Sequence, residues 1–212
     1  MNFPTVNNIR PPQYIAYHSR RVVHVANLPH WEKGGVTYFV TFRLADSIPS
    51  CKLREWESAR RSGTSTYSVP LCGLDRDECD CLFSTKIDAW LDAAWGSCRL
   101  RDDDARKIVE SALRNFDGVR YTLYSFVVMP NHVHVLFMPW EGFRVCEIVA
   151  GWKRFSAREL NVLQRMSGAV WQKEYFDTCV RDERGFRKAL SYVKSNNPEL
   201  AWSAYEAERG EA

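Results

Sequence analysis

The chain of 212 residues has no uninterrupted apolar run near the ~18 residues that a membrane helix needs. Its most apolar stretch, residues 121–140, is broken by Ser125, Pro130, Asn131, His132 and His134. No charge sign dominates. The 29 Lys and Arg against 26 Asp and Glu leave +3, too little to announce a nucleic-acid partner by itself. No basic segment followed by an apolar one opens the chain, so no secretory signal is expected. The seven cysteines are odd in number and irregularly spaced, which argues for reduced thiols rather than a disulfide framework. Internal repeats, low-complexity tracts and a P-loop pattern are all missing. Histidine is scarce, at five.

What is present is ordinary for a globular domain: 45% hydrophobic and 26% charged residues. With 13% aromatics and eight Trp a sizeable core can be buried, and the length suits one domain. Residues 1–30 hold Arg10, Arg20 and Arg21, no acid, and Pro4, Pro11 and Pro12, and read as an extended arm. The main domain is expected over 31–200, with a tail over 201–212.

Within that domain the β-branched and aromatic run 36–44 reads as a strand, and 52–61 as a short helix. Residues 62–81, rich in turn residues and cysteine, read as an irregular insertion. Ser84 can cap a helix running to about Ala94. Asp102-Asp103-Asp104 opens another, with Ala105, Ile108, Val109, Ala112, Leu113 and Phe116 as its apolar stripe. Two strands, 121–128 and 132–138, are separated only by Met129-Pro130-Asn131 and should form an antiparallel hairpin. A helix over 145–163 turns Val145, Ile148, Val149, Trp152 and Phe155 inward. An extended piece over 175–180 precedes a last helix, 183–196, with Phe186, Ala189, Leu190 and Val193 inward. The order strand, helix, strand, strand, helix, strand predicts an α+β fold. It is a ferredoxin-like split βαβ antiparallel sheet, with a further C-terminal helix.

The informative stretch is Val127-Val128-Met129-Pro130-Asn131-His132-Val133-His134-Val135-Leu136-Phe137. Residues i and i+2 of a strand share a face, so His132 and His134 point the same way. Two imidazoles held side by side on a strand can ligate one divalent ion; they can equally be solvated polar residues on a half-exposed strand. A third ligand must come from elsewhere. On the last helix Tyr192 and Asn196 are i, i+4 neighbours on the flank of the apolar stripe. Charge adds a weaker signal. Residues 145–198 hold ten basic and six acidic residues, a surplus of four, so a chain at +3 overall keeps −1 elsewhere. Trp152, Phe155, Trp171, Tyr175 and Phe176, interleaved among these cations, are of the kind that stack bases. Cys72, Cys79, Cys81 and Cys98 have no regular zinc-ribbon spacing.

The chain resembles the one-tyrosine HUH transposases, and most closely the REP-associated tyrosine transposases of bacteria. The matching segments are LPHWEKGGVTYFVTFRLADSIP (28–49), VVMPNHVHVLFMP (127–139), WKRFSAREL (152–160) and AVWQKEYFDTCVRDERGFRKALSYVKSNNPE (169–199). The resemblance implies that His132 and His134 bind a divalent metal, Mg²⁺ or Mn²⁺. It implies that Tyr192 is the nucleophile and Asn196 the third ligand. Five residues rather than the usual four separate Tyr192 from Pro198, so Asn197 competes with Asn196 for that role. The implied function is cleavage and rejoining of single-stranded DNA with hairpin-bearing, REP-like repeats, through a 5′-phosphotyrosine. Lys153, Arg154, Arg158, Lys173, Arg181, Arg20 and Arg21 are the expected DNA contacts. The protein is expected in the cytoplasm, at the nucleoid, as monomer or homodimer and without a membrane partner. Two other functions remain open: a domesticated hairpin-binding protein that no longer cuts, and a metal-dependent hydrolase.

Overall fold

The computed structural model describes residues 9–15, 22–25, 29–61 and 85–204. The insertion at 62–81, Arg20, Arg21, Ser84, Cys72, Cys79, Cys81 and residues 205–212 lie outside them. Two short strands, β1 (Val22–Val25) and β2 (Pro29–Glu32), pair antiparallel with His24 opposite His30. The extended arm expected there is thus in part a paired ribbon, foreshadowed by the β-branched Val22 and Val23. The main sheet is built from β3 (Tyr38–Arg43), β4 (Tyr121–Val128), β5 (His132–Pro139), β6 (Phe176–Cys179) and β7 (Trp202–Ser203). Its order is β6-β3-β5-β4-β7, and all neighbours are antiparallel. Without β7 this is the ferredoxin-like order expected from the sequence. Strand β7 adds an edge where a tail was expected.

Helices α1 (Ser50–Arg61), α2 (Thr85–Asp92) and α3 (Asp103–Arg114) fill the first crossover. Helix α4 (Val145–Leu163) fills the second, and α5 (Glu183–Asn196) follows β6. Asp102 caps α3 by accepting from the backbone N–H of Asp104 and Ala105, which satisfies two of the orphan donors of its first turn. Asp182 caps α5 in the same way through Gly185 N–H.

Both faces of the sheet are covered. On one, Val40, Phe42, Val133, Val135 and Phe137 pack with Val109 and Leu113 of α3 and Val149 and Trp152 of α4. On the other, Phe39, Leu136 and Met138 pack with Phe186, Ala189, Leu190 and Val193 of α5. Residues 9–15 close onto this second layer. Tyr14 packs edge-on against Phe186 and donates its hydroxyl to Glu183 Oε2 at 2.6 Å. Strand β4 serves both layers through a bulge at Tyr124: Leu123 stands opposite Phe137, yet Ser125 stands opposite Leu136.

Two residues expected in the core are not there. Phe116 is 37% exposed because α3 ends at Arg114 and its 3.6-residue period ends with it. Phe155 is 43% exposed because Ser156 takes the inward place. The Ser156 hydroxyl donates to Trp152 O at 2.6 Å and accepts from Trp171 Nε1 at 3.0 Å. The two ends of α3's stripe therefore differ in weight. Leu113→Ala should cost about 2–5 kcal/mol of unfolding free energy, and Phe116→Ala under about 1 kcal/mol. Chemical denaturation of the two variants checks this.

Candidate metal and nucleophile site

Alternation along β5 turns His132, His134, Leu136 and Met138 toward the α5 face. The half-exposed strand allowed by the sequence is overturned: His132 is 1% and His134 0% exposed. Their Nε2 atoms face one another at 3.1 Å, and each Nδ1 has its own partner. His132 Nδ1 meets Asn131 Oδ1 at 2.7 Å, and His134 Nδ1 meets Thr41 Oγ1 at 2.7 Å. Thr41 arrives through register, being directly opposite His134 across the β3–β5 pair. Burial pushes His132 down to about 3, and burial together with His132 pushes His134 well below the ordinary imidazole value. Both rings are therefore neutral at pH 7, the form in which imidazole ligates metals.

Tyr192 reaches the same place from α5. Its ring lies 5.2 Å from that of His134, nearly perpendicular, and 5.9 Å from that of Phe39, which stacks on His134, so the three rings form one cluster. The i, i+4 pair expected on α5 is present. Asn196 Nδ2 donates to Tyr192 O at 2.9 Å, which leaves Oδ1 as its acceptor for another partner. Asn197 is differently engaged, its Oδ1 accepting from Glu199 and Leu200 N–H. Among the described residues no three His, Cys, Asp or Glu side chains form a metal cluster. Cys98 is buried, with its thiol on Ala94 O at 3.0 Å. The two neutral imidazole nitrogens are donors that a divalent ion with oxygen ligands and water in the rest of its shell can use. Each ring is oriented through its second nitrogen, as metal-binding histidines generally are.

The expected DNA contacts do not gather at this site. Lys153, Arg154 and Lys173 line a cavity of about 380 Å³ against Val149, Ala150 and Trp171. It lies beside α4, which covers the sheet face opposite the histidines. Lys153 is committed there. Its ammonium donates to Gln172 O and Lys173 O at 2.6 and 2.7 Å, and burial lowers it to about 8 despite Glu174. Arg158 pairs with Glu159 at 2.8 Å. Arg181 lies between β6 and α5, half-buried. The sequence reading missed Asn131, Thr41 and Phe39. Asn131 adjoins the histidine pair and was open to notice. Thr41 and Phe39 need the β3–β5 register.

Residues 99–196, just under half of the chain, match the family model described as IS200-like transposase. That segment holds both histidines, Tyr192 and Asn196, and it upholds the resemblance to the tyrosine transposases. Among solved structures, a REP-associated tyrosine transposase bound to a REP hairpin is 14% identical, with a TM-score of 0.43. The alignment covers 82% of this chain and 74% of that one. A candidate transposase from Deinococcus radiodurans R1 is 13% identical, with a TM-score of 0.36, over 87% of this chain and 97% of that one. No curated protein matches the chain.

The buried pair makes stability pH-dependent. Below pH about 6.5 the unfolded chain protonates histidines that the folded metal-free protein keeps neutral. The stability these two groups contribute is thus complete above that pH. It falls with acidification toward about 3, where His132 itself titrates. The expected slope is up to about 1.4 kcal/mol per pH unit for each imidazole. Denaturant unfolding in chelator from pH 7.5 to 4.5 should show this slope, and His134→Gln should reduce it.

Proposed function

We propose that the chain is a metal-dependent transposase that cleaves and rejoins single-stranded DNA through a covalent tyrosine intermediate. The observation that carries the reading is the convergence on one sheet face of two neutral imidazoles, 3.1 Å apart, and the Tyr192 ring, 5.2 Å from His134. His132, His134 and Asn196 hold the ion, Mg²⁺ or Mn²⁺. Asn196 is preferred to Asn197 because its carboxamide oxygen is not committed to a turn. When bound, the ion supplies Lewis-acid polarisation of the scissile phosphate.

Tyr192 supplies the nucleophile. Its oxygen forms a bond to phosphorus, the bond to the 3′-oxygen breaks, and a 5′-phosphotyrosine and a free 3′-OH result. An ordinary phenol has a pKa near 10, so the proton must leave as attack proceeds. A second 3′-OH then attacks the same phosphorus and the tyrosine oxygen departs. One ester is exchanged for another, and no ATP is required. Phe39, stacked on His134 and edge-on to Tyr192, holds both rings and keeps water off one side of the pair. The partner is single-stranded DNA with a REP-like hairpin. Arg154 and Lys173, exposed beside α4, are its phosphate contacts; Lys153 braces the 172–173 backbone instead.

With Mg²⁺ and a hairpin-bearing oligonucleotide, wild-type protein should yield an adduct that survives a denaturing gel. Mass spectrometry should place the nucleotide on the Tyr192 peptide. Tyr192→Phe should lose adduct and strand transfer completely, keep hairpin binding, and change stability by under about 1 kcal/mol. An adduct on Tyr175 would displace Tyr192 as nucleophile. Hairpin binding with no adduct from wild type would favour a non-cutting binding protein, and free 5′-phosphate without adduct a hydrolase.

A further inference from the structure

Asn131 is 0% exposed and its amide has no freedom of orientation. Its Nδ2 donates to Leu91 O at 3.1 Å and Trp95 O at 3.2 Å, and carbonyl oxygens can only accept. The other end of the amide, Oδ1, is therefore the atom 2.7 Å from His132 Nδ1. The two carbonyls are themselves held in place. Gly96, at φ +88°, sits where a Cβ would come within 2.5 Å of Asp46 O, and Ser97 N–H donates to Asp46 Oδ2 at 2.7 Å. This clamps the segment after α2 to the turn after β3. Leu44 N–H donates to Asn131 O and Leu100 N–H to Pro130 O, tying the β4–β5 turn to the same structure.

A carboxamide oxygen accepts and cannot donate, so the facing Nδ1 must carry a hydrogen. A neutral imidazole has only one N–H, so His132 Nε2 presents a lone pair. His134 is not constrained in this way. Its Nδ1 faces the hydroxyl of Thr41, which can donate or accept. In the ion-free protein both requirements are met when His134 Nε2–H donates to His132 Nε2 and the Thr41 hydroxyl donates to His134 Nδ1. For His134 to offer its Nε2 lone pair, one proton must move from Nε2 to Nδ1, and Thr41 Oγ1 must become the acceptor. No net proton is gained or lost.

We propose that Asn131 is a positioning residue that fixes His132 as the Nδ1–H tautomer, and that Thr41 carries the tautomer exchange of His134 on which ion binding depends. The proposal rests on the reading that the histidine pair holds an ion. The two rings then play unequal parts. His132 is a permanently prepared ligand, and His134 is a ligand only after exchange.

Full-length protein with ¹⁵N-labelled histidine provides the test. Two-bond ¹H–¹⁵N correlation spectra without metal should show His132 as Nδ1–H and His134 as Nε2–H, and Mg²⁺ should convert His134 to Nδ1–H. Mn²⁺ titration followed by electron paramagnetic resonance should show Asn131→Ala weakened by roughly 10–100-fold. Thr41→Val should be weakened to a similar degree and Thr41→Ser restored to near wild type. Should Asn131→Ala fail to fold, the wild-type spectra and the Thr41 pair still decide. His132 found as Nε2–H, or undiminished Mn²⁺ affinity in Thr41→Val, overturns the proposal. Wild-type protein with His132 as Nδ1–H that takes up no Mn²⁺ supports the tautomer assignment and overturns the metal reading, so the two failures are separable.

Discussion

The antiparallel register between β3 and β5 is the constraint on which the site depends. It sets Thr41 opposite His134 and Arg43 opposite His132. One residue of slip would turn both histidines into the layer packed by α3 and α4, and would put Val133 and Val135 against α5. Burial on both faces makes such a slip costly, because each face demands its own apolar set. The histidine pair is thereby protected by the core: the strand that carries it is the central strand of the sheet.

That centrality has an electrostatic effect. A protonated imidazole pair cannot be hydrated there, so both rings stay neutral and compete for hydrogen bonds rather than for counter-ions. The surrounding groups are suited to this. A carboxamide and a hydroxyl, not carboxylates, meet the outer nitrogens. A carboxylate in either place would stabilise the charged form and set like charges against one another across 3.1 Å.

Much of this was legible in the sequence for local reasons. The strand over 121–128, its hairpin partner and the inward stripe of α5 each follow from a period of two or 3.6 residues within one short window. The shared face of His132 and His134 follows in the same way. Matters decided by distant chain were not legible. Asn131 is held by carbonyls 40 and 36 positions away. Thr41 lies 93 positions from His134. The burial of the histidine face depends on α5 docking, which β5 by itself does not announce. Phe116 and Phe155 are the reverse case, where a local period stops short because a helix ends or a serine takes the inward place. The basic surplus after residue 145 is real, but α4 and α5 cover opposite faces, so the surplus is no single patch.

The bulge at Tyr124 has a bearing on how this chain can vary. Before it, odd-numbered residues of β4 (Tyr121, Leu123) face α3 and α4; after it, even-numbered ones do (Phe126, Val128). Tyr124 itself reaches the α5 side with Val127. Parity along β4 is thus a joint between two halves of a strand that would otherwise be out of step. Loss of a single residue at this point would not shorten the strand so much as turn one half of it inside out. Either the Tyr121 hydroxyl would lose Leu113 O and Trp152 Nε1, or Val127 would turn away from its place beside His134. The residue count between Tyr121 and His132, the turn after β4 included, is therefore held by the opposite preferences of two layers.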